Sequence, residues 1–331
     1  MLYAGLDVHK DFVQACWVNR KGEVVREEEF LTNETGLNNL RSACKGSRCV
    51  MESSTACFRV YDALKEGRVK VRVAHPLMVK AIASARIKTD KIDARMLADL
   101  EKADLIPESY IPSKETRDER QLVREHCTIT EEMTRAKNQS RALFLKQGVA
   151  TPKNLFTKKQ FLTCLEKAKG ITKLSLEQSW DRLEFLGEQK KFVDELIEKQ
   201  AMNNDDAILL KTIPGFGYFT AFLLAVEIDG VKRFPDAEHL TSYAGLVPST
   251  RQSGSVTKHG GIGRGGNKRM RWVLVQAAWR ALGKSKRFKS LFTRELRKGK
   301  GCKKAIVIVA KKILTTAFFM LGRRQAFKEN A

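Results

Sequence analysis

Three short apolar runs open the chain, LYAGLDV, FVQACWV and EVVREEEFL, parted only by turn residues. A regular alternation follows. ETGLNNLRSACK carries a helical pattern, SRCVMES a strand, CFRVYDALKEG a helix, RVKVRVAH a strand, PLMVKAIASAR a helix and DKIDARMLADLEKADL a final helix. Apolar residues recurring every second position specify strands, and those recurring every three to four specify helices. Three strands close enough for hairpins, then strands separated by helices, require a sheet that mixes antiparallel with parallel pairing.

That order is the order of a ribonuclease-H-like α/β fold, and four acids sit at telling places in it. Asp7 lies at the end of the first run and Glu52 at the end of the fourth strand. Asp90 and Asp93 open the last helix, three residues apart and so on one face. Four carboxylates brought together repel one another and resist ionisation. A hard divalent cation removes that cost and takes oxygen ligands. Two such ions roughly 4 Å apart align the attacking and leaving oxygens of a phosphodiester. The quartet is thus a candidate site for Mg²⁺ or Mn²⁺.

The net charge of +23 is unevenly placed. Through residue 250 there are 39 Lys and Arg against 36 Asp and Glu; from residue 251 on there are 22 against 2. So cationic a final quarter attracts polyanions, and nucleic acid is the expected partner. A membrane is not expected: the apolar stretch AIVIVAKKILTTAFFMLG is interrupted by Lys311 and Lys312 and reads as a core helix. No signal peptide is visible. Seven scattered Cys without a CxxC pair point to a reducing cytosol, and none of the five His sits at zinc-finger spacing.

Three domains are expected at this length: residues 1–110, 111–204 and 205–331. The middle one carries two long helices with apolar seams. The first seam is Leu122, His126, Ile129, Met133, Ala136, Ser140 and Leu143; the second is Leu176, Ser179, Leu183, Leu186, Lys190, Val193 and Ile197. Such seams serve either a helical hairpin within the chain or a contact between copies. The last domain reads as mainly α-helical, with an IPGFG turn of helix-hairpin-helix character. A Gly-rich basic loop, LVPSTRQSGSVTKHGGIGRGGNKRMR, leads into its basic helix. Arg251, Lys258, Arg264, Lys268, Arg269 and Arg271 are candidate contacts to nucleic-acid phosphates. Trp272 and Trp279, seven apart, read as core packing.

Taken together and in order, GLDVHK, MESST, KTDKIDARMLA, LLKTIPGFG, FPDAEHLTSYAGLVP and SGSVTKHGGIGRGGNKRMRW resemble one family, the DEDD transposases of bacterial insertion sequences of the class numbered one-ten. The resemblance spans nearly the whole chain, and KTDKIDAR is its most specific piece. It implies a RuvC-like first domain whose Asp7, Glu52, Asp90 and Asp93 bind the metal, followed by a coiled-coil linker used in assembly. It implies a last domain with a nucleophilic serine at Ser253 of QSGS, flanked by Ser249 and Ser255. It further implies a cytoplasmic, nucleoid-associated recombinase, guided by a structured RNA of its own element. Such a recombinase cuts and rejoins donor and target DNA within a dimer or tetramer. Two other readings use the same residues: a hydrolytic junction resolvase, and a non-enzymatic nucleic-acid scaffold. An actin-like ATPase shares the strand order but needs Gly-rich phosphate hairpins that GLDVHKDF lacks.

Overall fold

The computed structural model describes residues 1–83, 89–253, 256–263 and 265–329, with backbone only for 249–253 and 256–259. The chain divides into two compact units, Met1–Ile111 and Pro112–Ala331.

The first unit runs β1 (Leu2–Val8), β2 (Phe12–Val18), β3 (Val24–Leu31), α1 (Glu34–Ala43), β4 (Ser47–Glu52), α2 (Cys57–Glu66), β5 (Lys70–Ala74), α3 (Pro76–Ile82) and α4 (Asp90–Lys102). The expected helix at 76–86 is seen as α3 over Pro76–Ile82; residues 84–86 of it lie outside the described residues. The sheet order is β3-β2-β1-β4-β5. β2 is antiparallel to both β1 and β3, β4 is parallel to β1, and β5 is parallel to β4.

Side-chain alternation sorts the sheet into two faces. Ala4, Leu6, Val13, Ala15, Trp17, Cys49, Met51, Val71 and Val73 point into a core shared with Leu37 and Leu40 of α1 and Val60 and Leu64 of α2. The opposite face carries Tyr3, Cys16 and Val18 against Ala94 and Ala98 of α4. Val50 and Ala74 meet Leu97 and Leu100 there. Close contact is possible because β1 has no side chain at Gly5: a Cβ there would lie 1.8 Å from the Ala94 carbonyl oxygen and 2.5 Å from the Ala98 nitrogen. Small residues on both partners let α4 settle on β1.

The second unit comprises α5 (Lys114–Lys146), α6 (Lys158–Leu165), α7 (Gly170–Met202), α8 (Asp205–Lys211), α9 (Tyr218–Ile228), α10 (Ala237–Tyr243), β6 (Pro248–Ser253), β7 (Val256–Ile262), α11 (Lys268–Ala281), α12 (Lys286–Arg297) and α13 (Cys302–Arg323). The two seams face each other within the chain. Ser140 and Ser179 hydroxyls are 2.8 Å apart, and His126 Nε2 lies 3.1 Å from Asp194 Oδ1. As one helix ascends the other descends, so α5 and α7 are antiparallel. Their upper ends continue into the core of α8, α9, α11 and α13 through Val123, Ile129, Val193 and Ile197.

α13 is long and apolar enough, by length and composition, to cross a bilayer, which the expectation from Lys311 and Lys312 had excluded. Its Ile306, Val309, Ala310, Ile313, Leu314 and Ala317 are instead buried in this core. Two other expectations are corrected. The Gly-rich stretch is not a loop throughout: β6 and β7 pair as an antiparallel hairpin, with Ser253 opposite Val256 and Arg251 opposite Lys258. Nor are the two tryptophans core residues. Trp272 is 40% exposed and Trp279 45%, each meeting one aromatic edge-on, Phe219 and Phe292. A seven-residue repeat puts both on one helix face, but that face is outward.

Candidate functional site

In the first unit, period-two alternation places Asp7 and Glu52 on the α4 face of the sheet. Leu6 is in register with Met51, and Asp7 and Glu52 each follow one residue later on adjacent parallel strands. α4 supplies the other two acids. Thr89 caps it, its hydroxyl accepting from the Ile92 amide at 3.3 Å, and Asp90 and Asp93 occupy the first turn, where carboxylates favour the helix dipole. The far end of α4 is tied down by Glu101, which is 1% exposed. It accepts from Arg48 Nε at 2.8 Å and lies 3.5 Å from Arg72 Nε.

A cleft of about 710 Å³ opens at this edge, and Asp7, Glu52, Asp90 and Asp93 all line it, with His9, Lys80 and Thr89. The four acids placed by the sequence pattern are therefore brought together. His9 was not singled out from sequence. Its Nε2 lies 3.1 Å from Asp7 Oδ2 and 3.4 Å from Asp90 Oδ1, and its ring stacks on Phe12 at 4.6 Å. The signal was present in GLDVHK, because a residue two positions beyond Asp7 returns to the same side of an extended chain.

Burial raises the proton affinity of the Asp7 carboxyl, the His9 ring opposes that, and Asp90 and Asp93 raise it further. Donor atoms of Asp7, His9 and Asp90 lie within 4.8 Å of one another, a spacing and chemistry that fit a divalent cation. A cation there would offset the same repulsion that disfavours ionised Asp7.

In the second unit the hairpin is pinned at its base. Gly245 (φ +66°) and Gly266 (φ +80°) touch back to back: a Cβ on Gly266 would lie 2.6 Å from the Gly245 nitrogen, and one on Gly245 would lie 2.6 Å from the Gly265 carbonyl. Arg271 Nη1 donates to the carbonyls of Gly245 (3.3 Å), Gly263 (3.3 Å) and Gly265 (3.0 Å), spanning both ends of the hairpin. The IPGFG turn packs on α11, where Arg280 Nε donates to the Gly215 carbonyl at 3.1 Å. Lys268 and Arg269 are exposed in the first turn of α11. Ser253 and Arg251 are in β6 and Lys258 in β7. Their side chains, that of Ser249, and the whole of Ser255 and Arg264 lie outside the described residues.

Two family profiles match the chain, the DEDD transposase profile of the IS110 type over residues 4–148 and the profile of the transposase IS116/IS110/IS902 family over residues 207–293. Relatives align along most of it. The transposase for insertion sequence element IS1111A of Coxiella burnetii is 24% identical, over 98% of this chain and 90% of the relative. The pilin gene-inverting protein of Moraxella bovis is 28% identical over 98% and 97%. The transposase for IS1328 of Yersinia enterocolitica is 24% identical over 83% and 82%. An acidic cleft on a mixed sheet, a basic helical unit and these matches define a DNA transposase, an enzyme of strand cleavage and transfer. The chain belongs to the IS110 family of insertion-sequence transposases.

Proposed function

We propose that this transposase recombines DNA with two chemical parts, an acid cleft that holds Mg²⁺ or Mn²⁺ and a serine, Ser253, that becomes covalently bonded to the cut strand. The first unit is read as ribonuclease-H-like, of the RuvC kind. Its strand order and the meeting of Asp7, Glu52, Asp90 and Asp93 in one cleft are the observation that carries the proposal. A metal held there would supply Lewis-acid polarisation of a phosphoryl oxygen.

Ser253 stands in the hairpin, in the stretch where 22 cationic side chains face 2 acids. Its hydroxyl gives up a proton as Oγ bonds to phosphorus, and the displaced strand end leaves as a hydroxyl. A hydroxyl of a second strand then attacks the phosphoserine ester and releases the serine. Bond energy is conserved in the ester, consistent with a sequence that lacks a Walker-type phosphate loop. The basic side chains, Arg251, Lys258, Arg264, Lys268 and Arg269 among them, hold phosphates, while a structured RNA of the element supplies sequence choice by base pairing. Copies of the chain assemble through the helical stretch. Ile171, Phe185 and Phe192 of α7, 83%, 59% and 60% exposed, support such an assembly.

A suicide DNA substrate tests the serine step. The native protein is expected to retain a covalent protein–DNA adduct and Ser253→Ala to lose it with the acids intact. Cleavage that continues unaltered in Ser253→Ala would instead establish a hydrolytic resolvase. Sequencing RNA that co-purifies tests the guide: one discrete structured species is expected, and a heterogeneous pool would refute guidance.

A further inference from the structure

We infer that the cleft between α5 and α11 is a binding site for one unpaired nucleotide, with its base stacked on Trp272. The cleft has a volume of about 340 Å³ and is lined by Cys127, Thr130, Glu131 and Thr134 of α5 and by Lys268, Arg269 and Trp272 of α11. That volume is at the small end of ligand clefts and suits a single base with its sugar, not a duplex.

Its chemistry divides by wall. On α11 an indole 40% exposed stands beside two exposed cations in the first helical turn. Phe219 meets Trp272 edge-on at 6.3 Å and 63°, which braces the indole and leaves ring surface uncovered. An aromatic face next to Lys and Arg is the pairing that holds single-stranded nucleic acid, the ring taking the base and the cations the phosphate. On α5 the Thr130 hydroxyl is buried with no hydrogen-bond partner among the described residues. A buried hydroxyl without a partner is costly, and a base edge or ribose entering the cleft would satisfy it. Glu131 on the same wall repels phosphate and so favours one orientation, with the phosphate toward Lys268 and Arg269.

α11 also begins where the hairpin ends, because Asn267 caps it through bonds to the Arg269 and Met270 amides. The captured nucleotide would therefore lie beside the base of the strand pair that carries Ser253. The inference rests on the reading of this unit as one that handles nucleic acid strands, and not on the serine step.

Fluorescence anisotropy with short labelled single strands, one DNA and one RNA, at several salt concentrations tests it on the full chain. Trp272→Ala is expected to weaken binding about tenfold with the salt slope unchanged, as for loss of one stacked base. Lys268→Ala with Arg269→Ala should instead flatten the slope. The strand type that loses affinity, DNA or RNA, identifies the source of the nucleotide. Trp272→Phe keeps an aromatic face and should restore most of the affinity. Indole emission provides a second readout, since the native protein should be quenched by the strand more than Trp272→Phe. Trp279→Ala, equally exposed on the same helix but outside the cleft, should bind as the native chain does. Native affinity in Trp272→Ala for both strands, or an equal loss in Trp279→Ala, would overturn the inference. Cleavage that continues unaltered in Ser253→Ala, which would end the serine reading, leaves these outcomes unchanged, so the two readings fail separately.

Discussion

Asn267 Nδ2 donates to Glu227 Oε2 at 2.8 Å, joining the N-terminus of α11 to a carboxylate only 2% exposed in α9. The same Asn267 side chain accepts from the Arg269 and Met270 amides with Oδ1. One residue thus caps the basic helix and moors it to the core, where Arg120 lies 3.8 Å from Glu227. Asn267→Ala removes the cap and strips a partner from a buried carboxylate. The expected loss is about 2–4 kcal/mol, measured by denaturant unfolding. A loss of only a few tenths would mean the mooring contributes nothing.

Gly5→Ala should be among the most damaging substitutions in the first unit. Its Cβ meets backbone of α4, which cannot yield as a side-chain end would. Overpacking of that kind is expected to cost about 3 kcal/mol and to shift α4 away from β1. Since Asp90 and Asp93 ride on α4, the melting-temperature increase produced by Mn²⁺ should shrink with it.

Asp7→Asn is expected to act in opposite directions with and without metal. The ionised Asp7 carboxylate is disfavoured by burial and by Asp90 and Asp93, so a neutral amide should raise the melting temperature in chelator. Saturating Mg²⁺ or Mn²⁺ at ~100 Kd stabilises a binding protein by about 2.7 kcal/mol, and this gain should vanish in Asp7→Asn. A differential scan of both proteins, with and without metal, decides the matter.

His126 gives the second unit a pH-dependent stability. Burial lowers its pKa from 6.5 to about 4; Lys190 lowers it too, and Asp194 opposes the shift. The unfolded chain therefore binds the proton first. Stability is fully present above pH 6.5 and is lost as pH falls through about 4. The ring stacks on Phe219 with centroids 3.7 Å apart, so His126→Phe should fill the site and flatten this part of the profile. An unchanged slope between pH 6.5 and 4 in that variant would refute the assignment.

Much of the first unit was legible because strands and helices announce themselves by period. The five strands of its sheet and the positions of Asp7, Glu52, Asp90 and Asp93 follow from local pattern. The β6–β7 pair was harder to read. Its strands are polar, so no apolar alternation marks them, although a Gly-Ser pair between Ser253 and Val256 is a two-residue hairpin signal. Trp272 and Trp279 were misread because a seven-residue repeat says which residues share a helix face and not which way that face turns.

By itself, then, the order of residues determined the elements, the two-sidedness of the sheet and the end of each strand at which an acid would stand, all properties of the chain within a few residues. Tertiary structure alone decided that His9, already beside Asp7, also reaches Asp90, that Arg271 spends Nη1 on three carbonyls, and that Gly245 and Gly266 meet back to back. Those relations depend on how close separate backbones approach, and that distance is set by packing between elements and not by any pattern within one.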